Sequence, residues 1–98
     1  MTLRPEDLPP VQQALLVDAT LDELVADLEA LADIREVTLK QAASEHSDRD
    51  QVPLKEAIGL LRSGGVRGVQ VHYAHEGRLW TDTLMVAPGG IRLVRMAT

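Results

Sequence analysis

Two short glycine-bearing connections, His75-Glu76-Gly77 and Ala87-Pro88-Gly89-Gly90, divide the last third of this sequence into three runs, VRGVQVHYA, RLWTDTLMV and IRLVRMA. Each run is rich in β-branched, aromatic or long apolar residues, and the first two alternate apolar with polar positions, as half-buried strands do. Connections this short join antiparallel neighbours, so the sequence predicts a three-stranded meander. One face of such a sheet must be covered, and the remainder of the chain has to supply the cover.

Two segments are suited to that task. In TLDELVADLEALAD, Thr20 and Glu23 have the spacing of a capping box, and Leu21, Leu24, Val25, Leu28, Leu31 and Ala32 recur as one helical stripe. In PLKEAIGLLRSGG, Pro53 opens a second helix, Leu54, Ala57, Ile58 and Leu61 share a face, and Gly64 or Gly65 supplies a left-handed stop. LPPVQQALLVDA can begin a further short helix, because Pro9 and Pro10 fit a first turn whose backbone donors have no partners. Val37 and Leu39 alternate with Glu36, Thr38 and Lys40, which makes 35–40 a fourth strand, with a continued helix as the alternative. Residues 1–8 are expected to be disordered and 43–51 to form a mobile surface loop.

The expected fold is therefore α+β: two or three N-terminal and central helices on one face of a small antiparallel sheet, comprising the C-terminal meander and the strand at 35–40. At 98 residues the chain suffices for one domain, 1–98, with one core. That core must be aliphatic, since there is no Phe and the only rings of Tyr or Trp type are Tyr73 and Trp80. The absence of cysteine removes disulfides, thiolate metal sites and cysteine nucleophiles. No apolar run approaches the ~18 residues of a membrane span, and MTLRPEDLPP lacks a signal-peptide layout, so the expected setting is the cytoplasm without membrane contact. Residues 1–50 carry four Lys/Arg against twelve Asp/Glu, whereas 51–98 carry six against three. This reads as a solvated acidic helix face beside a mildly basic sheet, with a ridge of Asp22, Glu29 and Asp33 docking a basic partner as the alternative.

Which side chains share a face depends on the length of the first turn, because a one-residue slip moves every side chain across the sheet. A three-residue loop, 75–77, gathers His72, Asp82, Gln70 and Trp80 into one polar cluster. A four-residue loop, 74–77, sets Tyr73 opposite Arg78, Val71 opposite Trp80 and Val69 opposite Asp82, and unites Val69, Val71, Tyr73, Trp80 and Leu84 on one apolar face. Burying one large side chain stabilises by about 1.5–3 kcal/mol, more than turn types differ, which selects the four-residue loop. The second turn places Val86 opposite Ile91, Leu84 opposite Leu93 and Asp82 opposite Arg95.

On this register Asp82 and Arg95 form a structural ion pair that fixes strand alignment, as a carboxylate among apolar neighbours requires. The opposite face carries Gln70, His72, Thr81, Thr83, Arg92 and Met96, a candidate binding surface. A catalytic or small-ligand site built on His72, Asp82, Arg95 and Trp80 requires the three-residue loop instead. No residue is assigned a catalytic role: Ser44, Ser47 and Ser63 lie outside any nucleophile elbow. No cofactor or metal is expected either, since His72 and His75 point to opposite sides of a strand and His46 lies in a loop. Arg67, Arg78, Arg92 and Arg95 beside Tyr73 and Trp80 suggest a weak nucleic-acid platform, against which stand the overall acidity and the burial assigned to the rings.

Trp80-Thr81-Asp82-Thr83-Leu84 followed by Arg92-Leu93-Val94-Arg95 resembles the C-terminal pattern of small uncharacterised bacterial, chiefly proteobacterial, proteins. The likeness covers the chain from Gly68 onward. It implies a bacterial cytosolic origin and no particular activity. The functional expectation is a small non-catalytic interaction or regulatory module that binds another protein or forms a homodimer.

Overall fold

The computed structural model describes residues 11–40, 49–50 and 52–97. The elements run β1 (Val11–Leu16), α1 (Asp18–Leu31), β2 (Asp33–Lys40), β3 (Arg49–Asp50), α2 (Leu54–Ser63), β4 (Gly68–His75), β5 (Arg78–Ala87) and β6 (Gly90–Ala97). All the strands join one sheet in the order β1-β6-β5-β4-β2-β3. Every neighbouring pair is antiparallel. The layout is helix over sheet, but the expected sheet of three or four strands under two or three helices is corrected. The described residues form six strands, one of them only two residues long, and two helices.

The largest correction falls on VQQALL, expected to enter a helix and found as β1. It pairs along its whole length with β6, from Val11 beside Met96 to Leu16 beside Ile91, and so covers an edge that the meander alone would leave open. Six ladder partners and the burial of Leu16 outweigh the weak local preference of Gln12, Gln13 and Ala14. A single extended residue, Val17, then leads into α1 at Asp18, two residues ahead of the expected capping box, and no side chain caps the helix. Asp18 in the first turn still complements the positive end of the helix dipole. Leu21, Val25 and Leu28 are buried, whereas Leu31 at the last turn is exposed, unlike the rest of its expected stripe.

β2 is the strand expected over 35–40 rather than the alternative of a continued helix, and it begins earlier, at Asp33, with a register shift between Ile34 and Glu36. The expected disorder of residues 1–8 lies outside the described residues, as do His46 and most of the expected loop 43–51. Arg49–Asp50 within that loop is strand β3, paired with Leu39 and Thr38. α2 buries Leu54, Ala57, Ile58 and Leu61 and stops at Gly64, whose φ of 83° is left-handed. Glycine alone takes that conformation without steric cost, which explains the sharp stop.

The first hairpin corrects the expected loop length. Its turn is two residues long, Glu76-Gly77, with His75 opposite Arg78. Both central residues have positive φ, 52° at Glu76 and 76° at Gly77, as a type I′ turn demands. Every cross-strand pair therefore sits two residues away from the four-residue expectation: Tyr73 faces Trp80, Val71 faces Asp82 and Val69 faces Leu84. A slip of two keeps the same faces, so Val69, Val71, Tyr73 and Leu84 still join the core under the helices. The second turn, Pro88-Gly89, gives Asp82 opposite Arg95, Leu84 opposite Leu93 and Val86 opposite Ile91.

Candidate functional site

Asp82 lies near the middle of the sheet, on the face the helices cover, and is fully buried at 0% exposure. A carboxylate there has lost its water, and its charge needs replacement donors. Arg95, directly opposite on β6, supplies two: Nε donates to Oδ1 at 2.9 Å and Nη2 to Oδ2 at 2.8 Å. The planar guanidinium matches the planar carboxylate, which makes this a paired, charge-assisted contact. Tyr73, diagonal to Asp82 on β4, donates a third hydrogen bond from its hydroxyl to Oδ1 at 3.0 Å. Among the described residues no buried side-chain nitrogen or oxygen is left without a partner, so this triad is complete within itself.

Its electrostatics follow from that packing. Burial, reinforced by the neighbouring Asp82 charge, holds the Tyr73 phenol well above its ordinary value of 10.0. The hydrogen bonds to Asp82 raise the Arg95 guanidinium in turn, against the opposing effect of burial. Folding therefore favours the protonated phenol, and the unfolded chain releases that proton first as pH rises above 10.0. Stability should be fully present below that pH and decline above it until the folded phenol also ionises. Urea midpoints measured at about pH 9 and about pH 11 should fall more for the wild type than for Tyr73→Phe. Equal declines would refute the assignment. Tyr73 is the chain's one tyrosine, so phenolate absorbance reads this group alone.

The remaining sequence-selected residues fall on the other side of the sheet. His72 pairs with Thr81 and Gln70 with Thr83 across the β4–β5 ladder, and Arg92 pairs with Met85 across β5–β6. Gln70 Nε2 donates to Thr83 Oγ1 at 3.1 Å. His72 Nδ1 shares a hydrogen bond with Thr81 Oγ1 at 3.0 Å, while Nε2 lies 3.8 Å from Glu36 Oε1. Arg92 Nη1 reaches Gln13 Oε1 at 3.5 Å. The sheet thus separates His72 from Asp82 and Arg95, and the polar cluster required by the catalytic alternative is not assembled. Trp80 lies on the Asp82 side, with the Arg78 guanidinium 5.4 Å from its ring centre. Tyr73 is buried, and Arg92 lies on the opposite face of the sheet from both rings.

Two roles escape sequence reasoning. His75 Nδ1–H donates to the Leu31 carbonyl at 3.2 Å, tying the end of β4 to the last turn of α1. Arg62 near the end of α2 bridges to Asp22 at 2.8 Å and to the Asp18 carbonyl at 3.1 Å on α1. Neither pair has a local motif, since each joins residues 40 or more positions apart. The Arg62 bridge also bears on the acidic ridge: Asp22 meets Arg62, Glu29 lies 3.9 Å from Lys55, and Asp33 meets Arg35 at 2.8 Å. Among the described residues no three His, Asp or Glu side chains converge as metal ligands would, and no helix is long and apolar enough to cross a membrane. No family model matches this chain, and no curated protein or solved structure matches it either.

Proposed function

We propose that the protein is a non-catalytic interaction module of the bacterial cytosol, which binds another protein through the sheet face opposite the helices. The observation that carries this reading is the combination of exposed apolar side chains and internally paired polar ones on that face. Leu79, Met85 and Met96 are each about half exposed there. Between them Gln70 is bonded to Thr83 and His72 to Thr81, and Thr38 and Thr81 are already buried.

Removing water from a polar group costs free energy unless its hydrogen bonds are kept, and on this face the lateral pairs keep them. Drying the face therefore loses little and gains the burial of two flexible methionines and a leucine. Methionine adapts to an irregular apolar partner better than branched side chains do. Arg92, beside Met85 in the ladder, adds a cation within the apolar half. A partner complementary to this arrangement is an amphipathic helix that lays apolar side chains on the methionines and sets a carboxylate against Arg92.

The test compares wild type with Met85→Lys/Met96→Lys and with Arg92→Ala as bait in a lysate. A protein retained by the wild type and lost from both variants is then purified and titrated into isotopically labelled protein. Amide shifts confined to β5, β6 and β4 support the reading. Shifts on α1 and α2, or no protein that depends on these residues, would overturn it.

A further inference from the structure

The two edges of the sheet differ in kind. One ends in β3, two residues long and made of an arginine and an aspartate. The other is β1, six residues long, VQQALL, with neither a charge nor a proline. Edge strands of monomeric proteins are usually guarded by charge, proline, bulges or brevity, because a free row of backbone donors and acceptors invites another strand. β3 has two of these guards and β1 has none. From this contrast we infer that the chain forms a homodimer by antiparallel pairing of β1 with β1 of a second copy, which makes one continuous twelve-stranded sheet.

A second copy is the occupant that the geometry suits. An uncharged strand brings no like charges together when it meets itself, and an antiparallel pair is self-complementary in direction about a two-fold axis. β3 covers only Thr38 and Leu39 of β2, but the rest of that edge carries Asp33, Arg35 and Glu36 and a register shift. Among the described residues β1 is therefore the one unguarded edge, and the assembly closes at two chains. A two-fold axis perpendicular to the sheet keeps each face continuous, which restricts opposing residues to the same side of their strands. Centring the axis on Ala14 satisfies this condition and sets Leu15 opposite the partner's Gln13. The smallest side chain of the strand then lies on the axis. A cleft of about 230 Å³ lined by Gln13, Ala14, Leu15, Pro88 and Arg92 borders this edge and has room for the incoming leucine.

The exposed apolar side chains at this corner point the same way. Leu15 and Val17 on and after β1, and Val86 at the end of β5, are each more than half exposed. Beside them runs a second cleft of about 420 Å³ lined in part by Leu16, Leu61 and Ile91. This inference does not rest on the open-face reading, since edge pairing leaves Leu79, Met85 and Met96 uncovered.

Light scattering on the intact protein should give twice the 10.7 kDa chain mass. Ala14→Lys/Leu15→Lys alters two exposed side chains and places ammonium groups on and beside the axis. It should return the single-chain mass with an unchanged far-ultraviolet spectrum. Since the chain has no cysteine, Ala14→Cys provides a test that holds even if the lysine variant fails to fold. On mild oxidation it should cross-link at least tenfold faster than Glu56→Cys, a variant on the exposed side of α2. A single-chain mass for the wild type at millimolar concentration would overturn the proposal. So would a dimer that survives the lysines, or equal cross-linking of the two cysteine variants.

Discussion

Replacing Arg95 with methionine is expected to destabilise the fold by about 3–5 kcal/mol, the usual cost of leaving a buried charge without its partner. Asp82→Asn should cost less, about 1–3 kcal/mol, the range for disturbed buried hydrogen bonds. The asymmetry comes from where each member of the pair sits. Asp82 is 0% exposed, so without Arg95 its carboxylate keeps a single donor, the Tyr73 hydroxyl, and has no access to water. The Arg95 side chain is 28% exposed and can turn its guanidinium toward solvent once the carboxylate is gone. For a chain of this length 3–5 kcal/mol lowers the melting temperature by on the order of 20 °C.

The double variant Asp82→Leu/Arg95→Met should recover part of the loss, because it leaves no charge in the dry site. A remainder of about 1–3 kcal/mol is the cost of the buried Tyr73 hydroxyl left without its acceptor. Urea denaturation of the four proteins checks all three statements. An Arg95→Met cost under about 1 kcal/mol would mean that the carboxylate is not dry, since that is the range for pairs in water. The contrast also bears on function. A pair whose chief effect is on stability, with no pocket chemistry lost, is a strand-register device, and the search for binding then moves to the reverse face and the β1 edge.

The parts of this fold that were legible in the sequence are those fixed by local chemistry. The Pro88-Gly89 turn set the β5–β6 register down to Asp82 opposite Arg95, and the pattern from Leu54 to Gly64 marked one helix and its stop. What was not legible depends on distant partners. β1 is a strand because β6, some 80 residues later, offers it an edge, and nothing within VQQALL announces that. The length of the first turn is not legible because Glu76 adopts a left-handed φ of 52°, uncommon for a residue with a long side chain.

The length of this turn decides which residues meet at the site. Under a four-residue loop Tyr73 would stand opposite Arg78, four positions along the strand from Asp82 and about 13 Å away at ~3.3 Å per residue. Only the two-residue turn brings the hydroxyl within 3.0 Å of the carboxylate. The faces are the same under either turn, because a slip of two residues preserves parity, and burial constrains parity more strongly than it constrains register.

Gly90→Ala is expected to be the most damaging of the small substitutions, at about 3 kcal/mol, made of backbone strain and lost strand contact. Gly90 opens β6 with φ 157°, and a methyl group built on it would overlap the backbone carbonyl of Leu16 on β1. A side-chain tip could swing aside, whereas a carbonyl in a strand ladder moves only if the strand does. Gly89→Ala is the natural control. It too has positive φ, 87°, but its methyl would meet only the tip of Leu15 at an ordinary 3.5 Å. Its cost should stay near the ~1 kcal/mol of a non-glycine residue held left-handed. Urea denaturation gives the two losses, and amide hydrogen exchange locates them. In Gly90→Ala the β1 amides should lose protection while those of β4 and β5 keep it, because only the β1–β6 seam is forced apart. Equal losses for the two alanines, or exchange rising evenly across the sheet, would show that β1 is not held by this close approach. The same experiment separates folding from assembly: if β1 is also the dimer edge, Gly90→Ala should weaken self-association in proportion to β1 detachment, while Asp82→Asn leaves association intact.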